Sequence, residues 1–169
     1  LKEQGVDLSL ANVSDRSTGC AVVLVDNRGE NAITVASGAN LDLRADQVDD
    51  DTLQNCDLVL LQQEVPLEEN FRLASRARKR KTKVIYNFAP ASKAPLELFQ
   101  QIDYLIVNEI EASLVAERGS IDNPAEVAEM LSREYGITVV MTLGAKGAVA
   151  ASRNQLIRLP APAVDVVDT

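Results

Sequence analysis

The sequence predicts an α/β fold in which a mostly parallel β-sheet is flanked by helices and a β-hairpin stands near the start of the chain. Three observations lead there. From Asp57 onward, short apolar runs of strand length alternate with longer helical stretches, the pattern that βαβ units leave in a chain. A polar residue follows each run, as expected where parallel strands end at a ligand-binding rim. Earlier, two segments rich in strand formers flank a turn-forming tetrapeptide. With 169 residues, 46% of them hydrophobic, the chain has material for one packed core.

Leu1-Lys2-Glu3-Gln4 reads as the end of a helix stopped by Gly5, and without a starting methionine the chain is expected to lack residues upstream. Thr18 to Val25 and Asn31 to Ser37 are strand formers joined by Asp26-Asn27-Arg28-Gly29, so a hairpin is expected over 18–37. Ala45 to Gln54 is acidic and helical in pattern. Strands are then expected at Asp57–Gln62, Lys83–Phe88, Asp103–Val107 and Thr138–Leu143, separated by segments that include helices over Leu67–Arg80 and Pro124–Tyr135. This alternation implies a parallel sheet covered on both faces. Gly147–Ser152 and Gln155–Leu159 form a second hairpin, followed by a final run at Val164–Val167. No internal repeat, low-complexity tract or linker divides the chain, so residues 1–169 are expected to be one partial domain.

A net charge of −8 and a pI near 4.6 set the chain against nucleic acid and anionic membranes, whose negative surfaces repel an acidic protein. The basic run Arg76 to Lys83 reads as the solvated C-terminal end of a helix, where cations complement the dipole, and no aromatic residues interleave it as single-strand binding requires. No apolar run approaches the roughly 20 residues of a membrane span, and the start lacks the basic-then-apolar pattern of a signal peptide. Cys20 and Cys56 have neither CxxC nor zinc-ligand spacing and are expected as small core hydrophobes in a reducing compartment, the cytoplasm. Histidine is absent, which excludes Ser-His-Asp triads, His-Cys pairs and HExxH zinc sites built from this chain alone.

The rim residues are Glu64, Asn87, Asn108, Thr142 and Asp168. Taken singly, each has an ordinary explanation. Glu64 precedes Pro66 at a helix start. Asn108 fits a helix N-cap with Glu111 in the acid-favouring first turn. Thr142-Leu143-Gly144-Ala145-Lys146-Gly147 is neither a GxxxxGK[ST] loop nor a GxGxxG fingerprint. Its small residues nonetheless let backbone amides approach a phosphate, with the Thr142 hydroxyl and the Lys146 charge nearby. Asp168 stands at a strand end.

In chain order, STGCAVVLVDNRGENAITVASGAN (Ser17–Asn40), LLQQEVPLE (Leu60–Glu68), NFAPA (Asn87–Ala91), DYLIVNEIEA (Asp103–Ala112), TLGAKG (Thr142–Gly147) and PAPAVDVVDT (Pro160–Thr169) are similar to segments of the PfkB carbohydrate kinase family, in its ribokinase-like branch. The resemblance runs along nearly the whole chain. It implies a three-layer ribokinase-like α/β fold with 18–37 as a β-hairpin lid, and ATP-dependent phosphorylation of a small sugar, with D-ribose to D-ribose 5-phosphate favoured by GENAITVASGAN and QQEVPLE.

The same resemblance implies roles for individual residues. Glu64 would accept hydrogen bonds from sugar hydroxyls, and Ala21, Val23 and Val35 would pack on the sugar from the lid. Asn108 and the loop Thr142, Leu143, Gly144, Ala145, Lys146 and Gly147 would hold ATP. Glu111 would serve Mg²⁺ through water, and Asp168 a monovalent cation, K⁺. The general base is expected beyond Thr169, so the chain by itself is expected to be inactive, and either poorly stable or self-associating. A lid with an exposed apolar face implies a homodimer. The residues leave open another sugar or a nucleoside as acceptor, or a non-catalytic nucleotide-binding protein on the same scaffold.

Overall fold

Strands form where the apolar runs lie. The structure, a computed structural model, describes residues 1–27, 31–92 and 96–164. Strands β1 (Cys20–Val25) and β2 (Asn31–Ala36) pair antiparallel as a sheet of two, in the register Ala21 to Val35 and Val23 to Ile33. Arg28 and Gly29 of the expected turn lie outside the described residues, as do residues 165–167 of the last apolar run and Asp168. The segment expected to be helical over 45–54 is a single 3-10 turn, Ala45–Gln47, followed by α1 (Asp50–Asn55).

The main sheet holds β3 (Leu58–Gln62), β4 (Lys83–Asn87), β5 (Tyr104–Asn108), β6 (Thr138–Thr142), β7 (Ala148–Ser152) and β8 (Gln155–Leu159), in that spatial order. The first four strands are parallel, and β7 and β8 extend the sheet antiparallel as the second hairpin. Between the strands lie α2 (Leu67–Lys79), α3 (Leu96–Phe99), α4 (Glu109–Val115) and α5 (Pro124–Tyr135). Helix α2 carries Glu68 and Glu69 in its first turn and Arg76, Arg78 and Lys79 in its last, so both ends suit the dipole. Helix α5 starts from the Asn123 side chain with proline in its first turn and stops at Gly136, whose φ of 69° is the left-handed conformation of a C-terminal cap.

Chain order and strand order coincide across β3 to β6, so crossovers of the one hand that parallel strands favour place their helices on the same face. Burial follows this rule. Val84, Tyr86, Leu105, Val107, Val139, Met141, Val149 and Ala151 alternate along their strands and are at most 2% exposed. Their neighbours Ile85, Ile106, Val140 and Ala150 are only half-buried, and Leu58, Leu60 and Ile157 are exposed. Within the described residues, the crossover helices therefore cover one face and leave the other partly open. On the covered face, ring contacts run from Tyr86 through Phe88 and Phe99 to Tyr135, with centroid separations of 6.1, 6.2 and 5.1 Å. They tie β4 to α3 and α5, each pair adding about 0.5–1.5 kcal/mol beyond its area burial.

Three expectations need correction. Cys20 and Cys56 are both exposed, because Cys20 opens a hairpin that has solvent on both faces and Cys56 ends α1 at the surface. Arg76 is not a solvated helix end. Its guanidinium donates to the carbonyls of Ala45 (2.6 Å) and Val48 (2.7 Å) and to Asp50 Oδ1 (2.8 Å), fastening the 45–50 segment onto α2. Arg80 also pairs with Asp50, and Lys83 pairs with Asp103 at 2.6 Å. No helix among the described residues is long and apolar enough to cross a membrane.

Candidate active site

The four parallel strands end on one rim. Gln62, Asn87, Asn108 and Thr142 are the last residues of β3 to β6, and all four lie on the partly open face. Gln62 is paired in register with Asn87, and Asn108 with Thr142, so their side chains stand on adjacent strands about 4.8 Å apart. Glu64 and the loop that follows Thr142 flank this row. The structure thus brings together every rim residue inferred from the sequence except Asp168, which lies outside the described residues.

At the β3 end, the Glu64 carboxylate is exposed and held in place by its neighbour. The Gln62 side-chain amide donates to Glu64 Oε1 at 3.0 Å and its oxygen accepts from the Glu64 backbone amide at 2.7 Å. From helix α2, Asn70 fixes the carbonyl of Gln62 at 2.8 Å. A carboxylate presented this way has free lone pairs facing solvent, the condition for receiving hydroxyl donors.

Asn108 and Glu111 form a capping box on α4. The Asn108 side chain accepts from the Glu111 amide, and Glu111 Oε2 accepts from the Asn108 amide, each at 2.8 Å. The ordinary explanation of this pair is therefore realised, and the second carboxylate oxygen of Glu111 has no hydrogen-bond partner among the described residues. Glu111 is 6% exposed, and burial pushes its carboxyl above the usual range against the opposing hydrogen bond from Asn108. An all-oxygen donor of this kind suits a hard divalent cation that keeps its waters. Among the described residues, no group of three His, Cys, Asp or Glu side chains gathers as a metal cage.

The turn after β6 is a single 3-10 turn, Gly144–Lys146. The amides of Leu143, Lys146 and Gly147 close it by bonding the carbonyls of Gly147, Leu143 and Gly144 at 2.8, 3.1 and 3.0 Å. Gly144 and Ala145 begin the helical turn, where amides lack partners inside the helix and point outward. The Thr142 hydroxyl lies 3.4 Å from the Val107 carbonyl, long enough to be given up to a better partner. Gly147 has a requirement that the sequence did not disclose: at φ 95°, a Cβ there would lie 2.0 Å from the Leu159 carbonyl oxygen. A cleft of about 450 Å³ opens beside the turn, lined by Glu109, Asn123, Leu143, Lys146, Arg158 and Pro160 among others.

Ala21, Val23 and Val35 share one face of the β1–β2 hairpin, and Ile33 joins them. Val22 and Leu24 on the opposite face are 56% and 63% exposed, so neither face is buried on a core of its own. Sequence reasoning missed Ile33, which strand alternation could have supplied. It also missed Gln63, whose signal is invisible until its partners are placed.

Comparison with known proteins agrees with this geometry. The family profile described as pfkB family carbohydrate kinase matches residues 1–169. The chain is 34% identical over 172 residues to a ribokinase of Haemophilus influenzae, covering 99% of this chain and 56% of that protein. It is 30% identical over 171 residues to one of Lactococcus lactis, covering 99% and 54%. A deoxyribokinase of Salmonella typhi is 29% identical over 158 residues, covering 90% and 52%. Among solved structures, ribokinase of Thermotoga maritima superposes with a TM-score of 0.79 at 33% identity, covering 92% of this chain and 52% of its own. Arabidopsis thaliana ribokinase complexed with ribose and ATP gives 0.77 at 30%, with the same coverage. A nucleoside kinase of Burkholderia thailandensis in complex with inosine shares the fold, with a TM-score of 0.75 at 17% identity, covering 99% and 55%. The chain spans about half the length of these proteins. The mostly parallel sheet, the separate hairpin and the family match along the full sequence place this chain in the pfkB family of carbohydrate kinases.

Proposed function

We propose that the protein containing this chain transfers the γ-phosphoryl group of ATP to the primary hydroxyl of a small sugar, D-ribose at O5. The observation that carries this reading is the rim of polar residues ending four neighbouring strands, with Glu64 at one side and the Thr142–Gly147 turn at the other, in a carbohydrate kinase family member. Sugar and nucleotide would lie along that rim, which turns a bimolecular encounter into a positioned one. Ribose is favoured by the segments GENAITVASGAN and QQEVPLE, and relatives such as those of Haemophilus influenzae and Lactococcus lactis are named ribokinases; the similarity to a deoxyribokinase and a nucleoside kinase makes other acceptors part of the test.

Each residue then has a task. Glu64 accepts hydrogen bonds from sugar hydroxyls that would otherwise lose water without compensation. Asn108 and the amides of Gly144 and Ala145 face the phosphates, with Thr142 and Lys146 adding a hydroxyl donor and a charge, and Leu143 and Gly147 shaping the turn. Glu111 offers its second carboxylate oxygen to Mg²⁺ through water, and Asp168 serves K⁺. When bound, Mg²⁺ neutralises charge on the transferred group. The hairpin over 18–37 closes Ala21, Val23, Val35 and Ile33 over the sugar, which keeps water from the reaction. Its other apolar face meets a second copy, giving a homodimer, in the cytoplasm. Residues 1–169 are part of one kinase domain, with the general base beyond Thr169.

The test is ATP consumption by the full-length gene product with Mg²⁺ and K⁺, offered D-ribose beside fructose, ketodeoxygluconate and adenosine. Ribose-dependent turnover is expected. Turnover with another acceptor only would keep the kinase and discard ribose, and ATP binding without any turnover would point to a non-catalytic protein.

A further inference from the structure

Directly after β3, between Gln62 and the Glu64 whose carboxylate it presents, stands Gln63, only 9% exposed. A buried amide side chain is costly unless it finds partners, and here its nitrogen and its oxygen each find one in a single neighbouring segment. The Tyr86 hydroxyl, itself fully buried on β4, donates to Gln63 Oε1 at 2.5 Å. Gln63 Nε2 donates to Ser92 Oγ, and the Gln63 backbone amide donates to the Ala89 carbonyl at 3.0 Å. A leucine would fill such a place without needing partners. Three directional bonds specify an arrangement that burial alone does not.

The arrangement joins two neighbouring parts of the rim. Tyr86 precedes rim residue Asn87, and Ala89 and Ser92 belong to the loop that leaves β4. Gln62 holds Glu64 from the solvent side through its own side chain, while Gln63 holds the same turn from the interior. Because Gln63 and Glu64 are adjacent, a small rotation of the Gln63 backbone displaces the Glu64 carboxylate directly. Burial also raises the Tyr86 phenol to about 12, against a smaller opposing contribution from Asn70, so the donor to Gln63 keeps its proton at any physiological pH.

We propose that Gln63 is a positioning residue: through Tyr86, Ala89 and Ser92 it locks the turn bearing Glu64 to the loop after β4, and so fixes where that carboxylate meets the sugar. The proposal rests on Glu64 being the sugar-binding residue. The experiment compares Gln63→Met, which keeps size and loses the side-chain bonds, with Glu64→Gln and the double variant in the full-length gene product. Gln63→Met is expected to raise the sugar KM about tenfold, equivalent to one to two ordinary hydrogen bonds, with the ATP KM unchanged. In the Glu64→Gln background it is expected to add nothing. An effect of the same size in both backgrounds, or none beside a clear effect of Glu64→Gln, overturns the proposal.

If Glu64→Gln alone leaves the sugar KM unchanged, the sugar-binding role of Glu64 falls, and the functional half of the proposal with it. The lock itself is then judged without activity, by amide hydrogen exchange. Peptides spanning 60–66 and 86–92 should exchange about tenfold faster in Gln63→Met while the rest of the sheet is unchanged. Equal protection in both peptides refutes the lock. Should Gln63→Met fail to fold, Tyr86→Phe removes one bond of the set. A KM shift about threefold in size, again absent with Glu64→Gln, then supports the proposal, and a shift that persists in that background overturns it.

Discussion

The rim of the main sheet and the β1–β2 hairpin both carry residues proposed to bind the sugar, yet they are built in opposite ways. On the rim Glu64 is held by Gln62, Asn108 and Glu111 by each other, and the Thr142–Gly147 turn by its own amides. The hairpin strands are joined by their backbone ladder, and both faces are apolar and open to solvent. Rigid elements fix the geometry on which charged and hydrogen-bonded contacts depend, whereas a closing surface needs apolar area and freedom to move. Substitutions on the rim should therefore disturb stability or catalysis according to the bond they break. Those on the hairpin should disturb function and leave the fold alone.

The largest expected effect is Gly147→Ala. A side chain there combines a positive φ with a backbone collision at Leu159, so a loss of about 3 kcal/mol is expected, seen as a lower Tm in thermal unfolding. A Tm equal to that of the parent would mean that the β7–β8 hairpin shifts easily. Next comes Glu64→Ala, which removes a charged acceptor that the fold does not need. About a hundredfold loss in kcat/KM for the sugar is expected with unaltered unfolding, and a matching loss of stability would show that the carboxylate is structural after all.

Glu111→Gln separates the two jobs of that residue. Glutamine preserves the capping box, so α4 should survive, while the Mg²⁺ concentration needed for half-maximal turnover should rise about tenfold. Stability gives the sign of the buried charge. The raised carboxyl of Glu111 means that the folded protein holds a proton the unfolded chain has already released, so stability falls as pH rises through that interval. Near neutral pH the ionised form carries the cost of burial and the glutamine variant should be at least as stable as the parent. That advantage should vanish below the ordinary carboxylate range, and a denaturation series across pH checks it. The smallest effect on folding belongs to Val23→Asp, expected to move stability by no more than about 0.5 kcal/mol because the position is half open to solvent. Its sugar KM should nevertheless rise several-fold, and an unchanged KM would remove the hairpin from the sugar site.

Much of this was legible in the sequence because the signals are local. Pro124 and Gly136 mark the ends of α5 by backbone chemistry, and the apolar runs place β3 to β6 within a residue or so. The rim was legible too, since a polar residue after each run is a pattern of order along the chain. What escaped depends on residues distant in sequence. Nothing near Gln63 announces Tyr86, 23 positions away, and nothing near Arg76 announces the carbonyls of Ala45 and Val48. The exposure of Cys20 was misjudged because strand formers usually have a core beneath them, and this hairpin has none among the described residues. Helix α3, with four residues, is too short for periodicity to reveal.

The identity of chain order and strand order in the main sheet also bears on how the molecule comes into being. Every strand from β4 to β8 pairs with the one made just before it, so each addition closes a short loop rather than a long one. A chain emerging from the ribosome can extend this sheet one strand at a time, without waiting for a distant partner to be synthesised.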